Sequence, residues 1–422
     1  MIYNVHKCGS YNIHTIKTDK FKNIRMEIIF RNNIDPNTIA SRTLLFDLLV
    51  ESSNKYPTKR DLVLKQELLY NASLYSVSNR IGNQIITSIV MDFLNPKYTK
   101  DNYLAEAIKL PFELIFNPLV NNNEFNSQTL ENIKTRTIAD IKSLYEQPSK
   151  LAIKNALKYF DENSISSIDI NGTIDSITTI SSTSIYKTYL DILKHDYVDI
   201  YVIGDFDSNT IVDEIVKNAQ FNTIKKHELS LEIKNKTRSK NQLVKEKSSF
   251  LQSHIVYIYN INNLNDYERK YVFNLYNNIL GGSALESKLY QKLRGENSLC
   301  YGISSIYQKY DNLLIIYTSV DPNNVNKAQK LIEQTINEMI NNITEDDLNI
   351  AKDAIISSIN MSLDMPGRII DQYLFHNISD LDLIDERISQ YKTVSLKDIK
   401  IVAKKIKSNT IYVLEGDIHE KN

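Results

Sequence analysis

Hydrophobic positions along this chain follow two spacings, one typical of strands and one typical of helices. Alternating and β-branched runs occur in pairs around a polar break, ending in IITSIVMDF (85–93) and LLIIYTSV (313–320). Such pairs predict β-hairpins. Val272, Leu275, Tyr276 and Ile279 fall at i, i+3, i+4 and i+7, which predicts an amphipathic helix. Asp266 is a candidate cap for its start, and Gly281 for its end.

The chain repeats itself at about half its length. Tyr75-Ser-Val-Ser78 matches Tyr301-Gly-Ile-Ser304 at an offset of 226, which also pairs Pro96 with Pro322. VDIYVIGDFD (198–207) resembles NTIYVLEGDI (409–418) at an offset of 212, so the second copy is 14 residues shorter. A third pair, 24–49 and 254–280, reads as a strand followed by a helix. Three matches in one order predict an internal duplication.

The interleaved strands, hairpins and helices predict an α+β fold of two tandem homologous domains, each a β-sheet packed with helices. We place the N-terminal domain at 1–223 and the C-terminal domain at 248–422. Between them, 224–247 holds eight Lys and Arg residues and few large apolar ones. A solvated linker is the favoured interpretation of this segment, with a nucleic-acid contact as the alternative.

Composition restricts the class of protein. The 50 basic and 51 acidic residues give a net charge of −1, which argues against a general nucleic-acid binder. Two cysteines, Cys8 and Cys300, cannot form a disulfide framework. Neither a signal peptide nor an apolar run of membrane-spanning length is visible. We therefore expect a cytoplasmic, reduced protein that binds neither nucleic acid nor a membrane.

Common catalytic motifs are missing from the sequence. No two of the seven histidines lie four residues apart, so neither H-E-x-x-H nor H-x-x-E-H is present. Phosphate-binding glycine loops and the G-x-S-x-G elbow are also absent. The Gly281-Gly282 pair follows a predicted helix, which favours a helix cap and turn over a flexible ligand loop.

The stretch ILGGSALESKLYQKLRGENSLCYGISSIYQKYDNLLIIYTSVDP (279–322) resembles the pitrilysin/insulinase family of zinc peptidases, in its processing-peptidase-like branch. The resemblance implies two tandem homologous α+β domains, which agrees with the duplication. It extends over nearly the whole chain, with 279–322 as the most specific part.

In that family, H-x-x-E-H in the first domain supplies two zinc ligands and a general base, and a later Glu supplies the third ligand. The matching helix here places Asp47 and Glu51 at the two His positions and Val50 at the Glu position. The third-ligand region (125–141) retains Glu131 and Asp140. The resemblance therefore implies no catalytic residue, no metal and no cofactor in this chain. An alternative is a divergent all-oxygen site using Asp47, Glu51 and Glu131, which would suit Ca²⁺ or Mg²⁺ better than zinc.

A second family feature survives in the second domain. Leu293-Arg294-Gly-Glu-Asn-Ser-Leu299-Cys300-Tyr301 matches a pattern whose Arg and Tyr, seven residues apart, hold the substrate backbone in the family. A guanidinium offers a fixed fork of donors to carbonyl oxygens, and a phenol can donate to a peptide carbonyl. The structural alternatives are that Arg294 merely ends a helix and that Tyr301 packs in the core.

The resemblance thus implies a non-catalytic, substrate-binding subunit of a heteromeric zinc peptidase, acting as a heterodimer. The partner would be a homologous subunit that carries H-x-x-E-H, and Arg294 and Tyr301 would bind the peptide substrate. The strand near Asn71-Ala-Ser73 could pair with an extended peptide at its edge. The alternative is a stand-alone peptide-binding or scaffold protein of the same fold. We also expect that the isolated chain could form a homodimer.

Overall fold

The computed structural model describes residues 1–222, 228–282 and 285–417. The chain divides into two compact units. The first comprises Met1–Lys142, Asp169–Leu231 and Pro366–Asp371. The second comprises Ser143–Ile168, Glu232–Met365 and the chain from Gln372 onward.

The first half of the chain contains eight strands and eight helices among its described residues. The strands are β1 (Ile2–Lys7), β2 (Tyr11–Lys17), β3 (Asn23–Asn33), β4 (Ser73–Ile81), β5 (Gln84–Leu94), β6 (Val120–Asn121), β7 (Glu124–Phe125) and β8 (Tyr197–Gly204). The helices are α1 (Ile39–Leu49), α2 (Lys59–Leu68), α3 (Leu104–Phe116), α4 (Ser127–Leu144), α5 (Pro148–Phe160), α6 (Ile174–Thr178), α7 (Ser182–His195) and α8 (Ser208–Asn218).

The second half contains five strands and seven α-helices in the described ranges. The strands are β9 (Gln242–Lys247), β10 (Ser253–Ile261), β11 (Ile303–Gln308), β12 (Leu313–Val320) and β13 (Ile406–Glu415). The helices are α9 (Phe273–Gly281), α10 (Lys288–Tyr290), α11 (Val325–Glu338), α12 (Glu345–Ser362), α13 (Pro366–Ser379), α14 (Ile384–Thr393) and α15 (Leu396–Val402). Shorter helical turns lie at Pro96–Tyr98, Ile165–Ser167, Glu268–Val272, Gln291–Gly295, Pro322–Asn324 and Ala403–Lys405.

The two sheets repeat one topology, which confirms the predicted α+β fold of two homologous domains. The first sheet has the order β1-β2-β8-β3-β5-β4 and the second has the order β11-β12-β10-β13-β9. The shared part, β8-β3-β5-β4 and β13-β10-β12-β11, is antiparallel throughout. A helical turn follows the matching hairpin in each copy, starting at Pro96 and at Pro322.

In each unit, one face of the sheet packs against the helix that follows its long central strand, α1 or α9. In the first unit, Ile28 on β3, Ile89 on β5 and Ile200 on β8 are fully buried in one apolar cluster with residues of α1 and α3. In the second unit, Ile316 on β12 and Leu275 on α9 belong to the corresponding cluster. Because successive side chains of a strand point to opposite faces of the sheet, every second side chain packs against the helices, as the sequence pattern predicts.

The helix predicted from 272–279 exists, but its start differs from the prediction. The cap is Asn265 rather than Asp266, since the Asn265 side-chain oxygen accepts from the Glu268 N–H and the Glu268 carboxylate accepts from the Asn265 N–H. This reciprocal pair satisfies two otherwise unpaired N–H groups. At the other end the cap is Gly282 rather than the predicted Gly281, which is the last helical residue, and a Cβ on Gly281 would lie 2.9 Å from the backbone nitrogen of Ser305. Close packing against β11 therefore requires glycine at this position.

The limits of the units differ from the predicted domain ranges. Within the predicted 224–247 linker, residues 224–227 lie outside the described part, and Gln242–Lys247 form β9, which pairs in parallel with β13. Its side chains alternate between half-buried and exposed, as on a sheet edge. Helix α5, although early in the chain, belongs to the second unit, where Ala152, Ala156 and Phe160 are fully buried in a cluster with residues of β10, β12 and β13.

A buried charged network lies on the face of the first sheet opposite α1. Asp199 on β8 accepts hydrogen bonds from Asn12 Nδ2 at 2.9 Å and from Arg31 Nη2 at 2.7 Å. His14 Nε2 lies 3.3 Å from the same carboxylate, and its Nδ1 lies 2.8 Å from the Tyr3 hydroxyl. If the tyrosine donates to Nδ1, the Nε2–H donates to Asp199, so one histidine tautomer satisfies both contacts.

No helix in the described ranges is long and apolar enough to cross a membrane. Localisation in the cytoplasm remains a prediction from the sequence.

Candidate functional site

The degenerate metal site lies where α1 ends. Asp47 is in the last turn of α1, whereas Glu51 lies two residues beyond its end. Between them, Val50 is buried, and its carbonyl accepts a hydrogen bond from Lys59 Nζ at 2.9 Å. Ser76 Oγ on β4 donates to Asp47 Oδ1 at 2.6 Å. A valine side chain can neither bind a metal ion nor accept a proton. The position that carries the general base in the family is therefore filled here by a buried apolar side chain.

A guanidinium lies between the two carboxylates. Arg136 on α4 places Nη2 3.9 Å from Asp47 Oδ2 and Nη1 3.8 Å from Glu51 Oε1. Lys59 Nζ lies 3.5 Å from the other oxygen of Glu51. The acid pair is thus neutralised by cations from two elements. Since arginine does not deprotonate in proteins, its charge opposes a divalent cation at the same place.

Glu131, the remaining acid of the predicted all-oxygen site, does not join the pair. Glu131 forms an ion pair with Lys134 on its own helix at 2.8 Å, and Lys134 is held further by the carbonyl oxygens of Thr178 and Ile180. Among residues 1–222, 228–282 and 285–417, no three His, Cys, Asp or Glu side chains are grouped so that they could hold a metal ion. These residues fit neither zinc nor the alternative all-oxygen site with Asp47, Glu51 and Glu131.

Arg294 and Tyr301 lie together in the second unit. Arg294 is in the helical turn Gln291–Gly295, and its Cζ lies 5.4 Å from the ring centroid of Tyr301, in a cation–π contact. Tyr301 is 80% exposed, so it does not pack in the core. The tyrosine at the matching place of the first copy differs, since the Tyr75 hydroxyl accepts from Arg25 Nη1 at 3.0 Å.

The residues that neutralise the acid pair were not predicted from the sequence. Arg136 lies inside the segment 125–141, where the family places its third ligand. A basic side chain in that segment could have indicated that a cation takes the place of the metal. Lys59 and Ser76 gave no signal, because neither belongs to the family motif: Lys59 reaches Glu51 from the start of α2, eight residues later, and Ser76 reaches Asp47 from β4.

The fold and the altered metal site together resemble a two-domain zinc peptidase in which the residues of the zinc motif are replaced. Residues 179–355 match the family model described as the peptidase M16 inactive domain. The chain is 24% identical over 418 residues to the probable inactive metalloprotease YmfF of Bacillus subtilis (strain 168), covering 97% of each chain.

Two further comparisons agree in fold or sequence. The chain is 22% identical over 342 residues to the uncharacterized zinc protease YmxG of Bacillus subtilis (strain 168), which covers 78% of this chain and 79% of the relative. A solved structure of a conserved protein from Enterococcus faecalis V583 superposes with a TM-score of 0.91 at 25% identity, covering 99% of this chain and 100% of that one.

Residues 179–355 thus resemble the M16 peptidase inactive domain, and the whole chain, which lacks the H-x-x-E-H motif, is similar in sequence and fold to M16-type proteins. These comparisons confirm the resemblance to the pitrilysin/insulinase peptidases that was drawn from 279–322, whereas the processing-peptidase-like branch stays a prediction.

Proposed function

We propose that this chain is the substrate-binding subunit of a heteromeric zinc peptidase, with zinc and general base supplied by a homologous partner that carries H-x-x-E-H. The observation that carries the proposal is the pairing of Arg294 with the exposed Tyr301, in a chain whose remaining acid pair is neutralised by Arg136. A chain without hydrolytic machinery gains nothing from an exposed Arg/Tyr pair unless something binds there.

The chemistry of the pair suits an extended peptide. Arg294 makes no ion pair with an acidic side chain in the described part of the chain, and the Tyr301 hydroxyl makes no hydrogen bond there. Both groups therefore keep donors available for peptide carbonyl oxygens. Their cation–π contact orders two flexible side chains in advance, which lowers the entropic cost of binding.

A second feature that supports peptide binding is the edge of the first sheet. In the described residues, β4 pairs with β5 alone, so its outer edge offers unpaired backbone N–H and C=O groups. An extended peptide can add to such an edge as a further strand. This edge begins at the segment 71–73 predicted from the sequence.

Similarity to two Bacillus subtilis proteins, one named inactive and one named a zinc protease, also fits a pair of unequal subunits. The first test is an affinity pull-down of the tagged chain from its own host, read by mass spectrometry. Recovery of a roughly equimolar H-x-x-E-H homologue would support the proposal. If such a homologue is encoded but is never recovered, even after cross-linking, the chain acts as a stand-alone peptide-binding protein instead.

Substituting the Arg/Tyr pair should slow peptide cleavage by the assembled complex. For Arg294→Ala we expect a loss of roughly ten- to a hundredfold in kcat/KM, since a hydrogen bond to a charged group contributes about 1.5–3 kcal/mol. For Tyr301→Phe we expect about fivefold, the worth of one neutral hydrogen bond of about 1 kcal/mol. Cleavage of a fluorogenic peptide by the purified complex measures both.

Exposed residues of the same types provide the controls. Arg60→Ala on α2 and Tyr145→Phe should leave kcat/KM unchanged, since both side chains are exposed and lie in the other half of the chain sequence. Size-exclusion chromatography must show that each variant still forms the complex. Unchanged cleavage by both Arg294→Ala and Tyr301→Phe would show that the pair does not hold the substrate.

A further inference from the structure

The second unit contains a cavity of about 490 Å³ that the proposed peptide-binding role does not use. Its walls come from the turn between β11 and β12 and from helices α9, α12, α13 and α14. A volume in this range is typical of sites for small organic ligands.

Positive charge dominates the cavity wall. Lys270, Lys309 and Arg387 line it, and no described lining residue is acidic. Lys270 Nζ donates to the carbonyl oxygen of Asp380 at 2.5 Å, so one of the three cations has a neutral partner. The other two have no carboxylate within ion-pair distance among the described residues.

Arg387 is the most unusual of these cations. It is only 6% exposed, and its Nε and Nη2 have no hydrogen-bond partner in the part of the chain that the structure describes. A buried guanidinium with no carboxylate in ion-pair contact and no acceptor for two of its nitrogens is costly, because these N–H groups lose water without compensation. An anion in the cavity would supply both the charge and the acceptors.

Lys309 is a second cation of this cavity that is surrounded mainly by other positive charges. Burial, together with the charges of Lys270, Arg269 and Arg387, lowers its pKa to about 8, with Asp266 opposing this in part. Burial likewise lowers the pKa of Arg387, with Tyr391 and Asp382 opposing this in part. The fold thus holds several cations together at a cost in stability, a pattern typical of binding sites rather than of structural ion pairs.

The rest of the wall limits the kind of anion. Ile355, Ile359, Phe375 and Tyr391 give the cavity an apolar and aromatic side. An inorganic ion alone would leave most of this volume and apolar surface unused. We propose that the cavity binds a small organic anion, whose phosphate or carboxylate group pairs with Arg387 and Lys309 while its body packs on the apolar side.

Titration calorimetry of the full chain at fixed ionic strength tests this proposal, with phenyl phosphate and phthalate as probes. We expect saturable binding at one site per chain, and the probe with the higher affinity assigns the phosphate or the carboxylate class. Lys309→Gln should weaken the better probe by about tenfold or more. Lys397→Gln, an exposed lysine on α15, is the matched control and should bind as the unaltered chain does.

Two further readouts separate binding from a structural role. Without ligand at pH 7, Lys309→Gln should raise the midpoint of thermal unfolding, because it removes one of several crowded cations. Replacing a lysine with a purely structural role would lower that midpoint.

Raising the pH from 7 to 9.5 should weaken probe binding, because Lys309, whose pKa is about 8, loses its charge over this range. The charged and titratable groups that face Lys309 are Lys270, Arg269, Arg387, Asp266 and Tyr310. Absence of saturable binding by both probes, or unaltered binding by Lys309→Gln, would overturn the proposal. Arg387→Gln, if it folds, should abolish binding.

Discussion

Replacing Asp199 by asparagine should lower the free energy of unfolding by about 3–5 kcal/mol, the usual cost of removing one partner of a buried ion pair. The Arg31 guanidinium, which is 12% exposed, would lose its carboxylate while staying buried. His14 and Asn12 would also lose a charged acceptor for their hydrogen bonds. Urea denaturation followed by circular dichroism at pH 7 measures the loss.

The control is an exposed aspartate in the same unit. Asp213→Asn on α8 should change the free energy of unfolding by no more than about 0.5 kcal/mol. Adding Arg31→Met to Asp199→Asn should recover part of the loss, since the second change removes the unpaired buried charge. A loss below about 1 kcal/mol for Asp199→Asn would contradict the role given to this network.

The effect of Asp199 should depend on pH in a definite direction. Burial by itself would raise the pKa of its carboxyl, but the hydrogen bond from His14, the charge of Arg31 and the bond from Asn12 together hold it well below its usual range. Below about pH 4 the unfolded chain therefore binds this proton and the folded chain does not. The contribution of the carboxylate is present above that pH and is lost as the pH falls. The gap between the unaltered chain and Asp199→Asn should narrow correspondingly between about pH 5 and pH 3.

Zinc binding should return only when the guanidinium at the degenerate site is removed. The triple variant Asp47→His, Val50→Glu and Glu51→His rebuilds the family motif, but it leaves the Arg136 charge beside both imidazoles. Adding Arg136→Glu replaces that charge with an oxygen ligand from α4. For the quadruple variant, which has three protein ligands, we expect about one bound zinc ion per chain. For the triple variant we expect much less than one zinc ion per chain. Mass spectrometry of the metal content, after chelation and reloading, measures it.

The side chains already converge, which is why four substitutions should suffice. Both carboxylates lie within 4 Å of the single Arg136 guanidinium, so ligands at 47 and 51 can reach one point although α1 ends at Leu49. The Arg136→Glu variant alone is the control and should bind no stoichiometric zinc, because acidic oxygens alone are poor zinc ligands. Full zinc occupancy in the triple variant would show that Arg136 does not keep the metal out.

Much of the fold could be predicted from the sequence, because local spacing encodes it. Strand alternation and the helical spacing of Val272, Leu275 and Ile279 reflect periodicities that any window of sequence shows. The duplication was visible because both copies keep the same order of turns and apolar runs, including Pro96 and Pro322. The missing histidines are a matter of residue identity, so the amino-acid sequence by itself excludes the family's zinc chemistry.

Only the tertiary structure decided which distant side chains meet. Arg31 reaches Asp199 from 168 residues away, Arg136 reaches the acid pair from another helix, and α5 joins the sheet of the second unit. The exposure of Tyr301 and the burial of Arg387 in the wall of its cavity also depend on packing across long stretches of chain. Periodicity determines which face of an element is apolar, whereas the pairing of polar groups depends on how those faces pack together, and spacing along the chain does not record it.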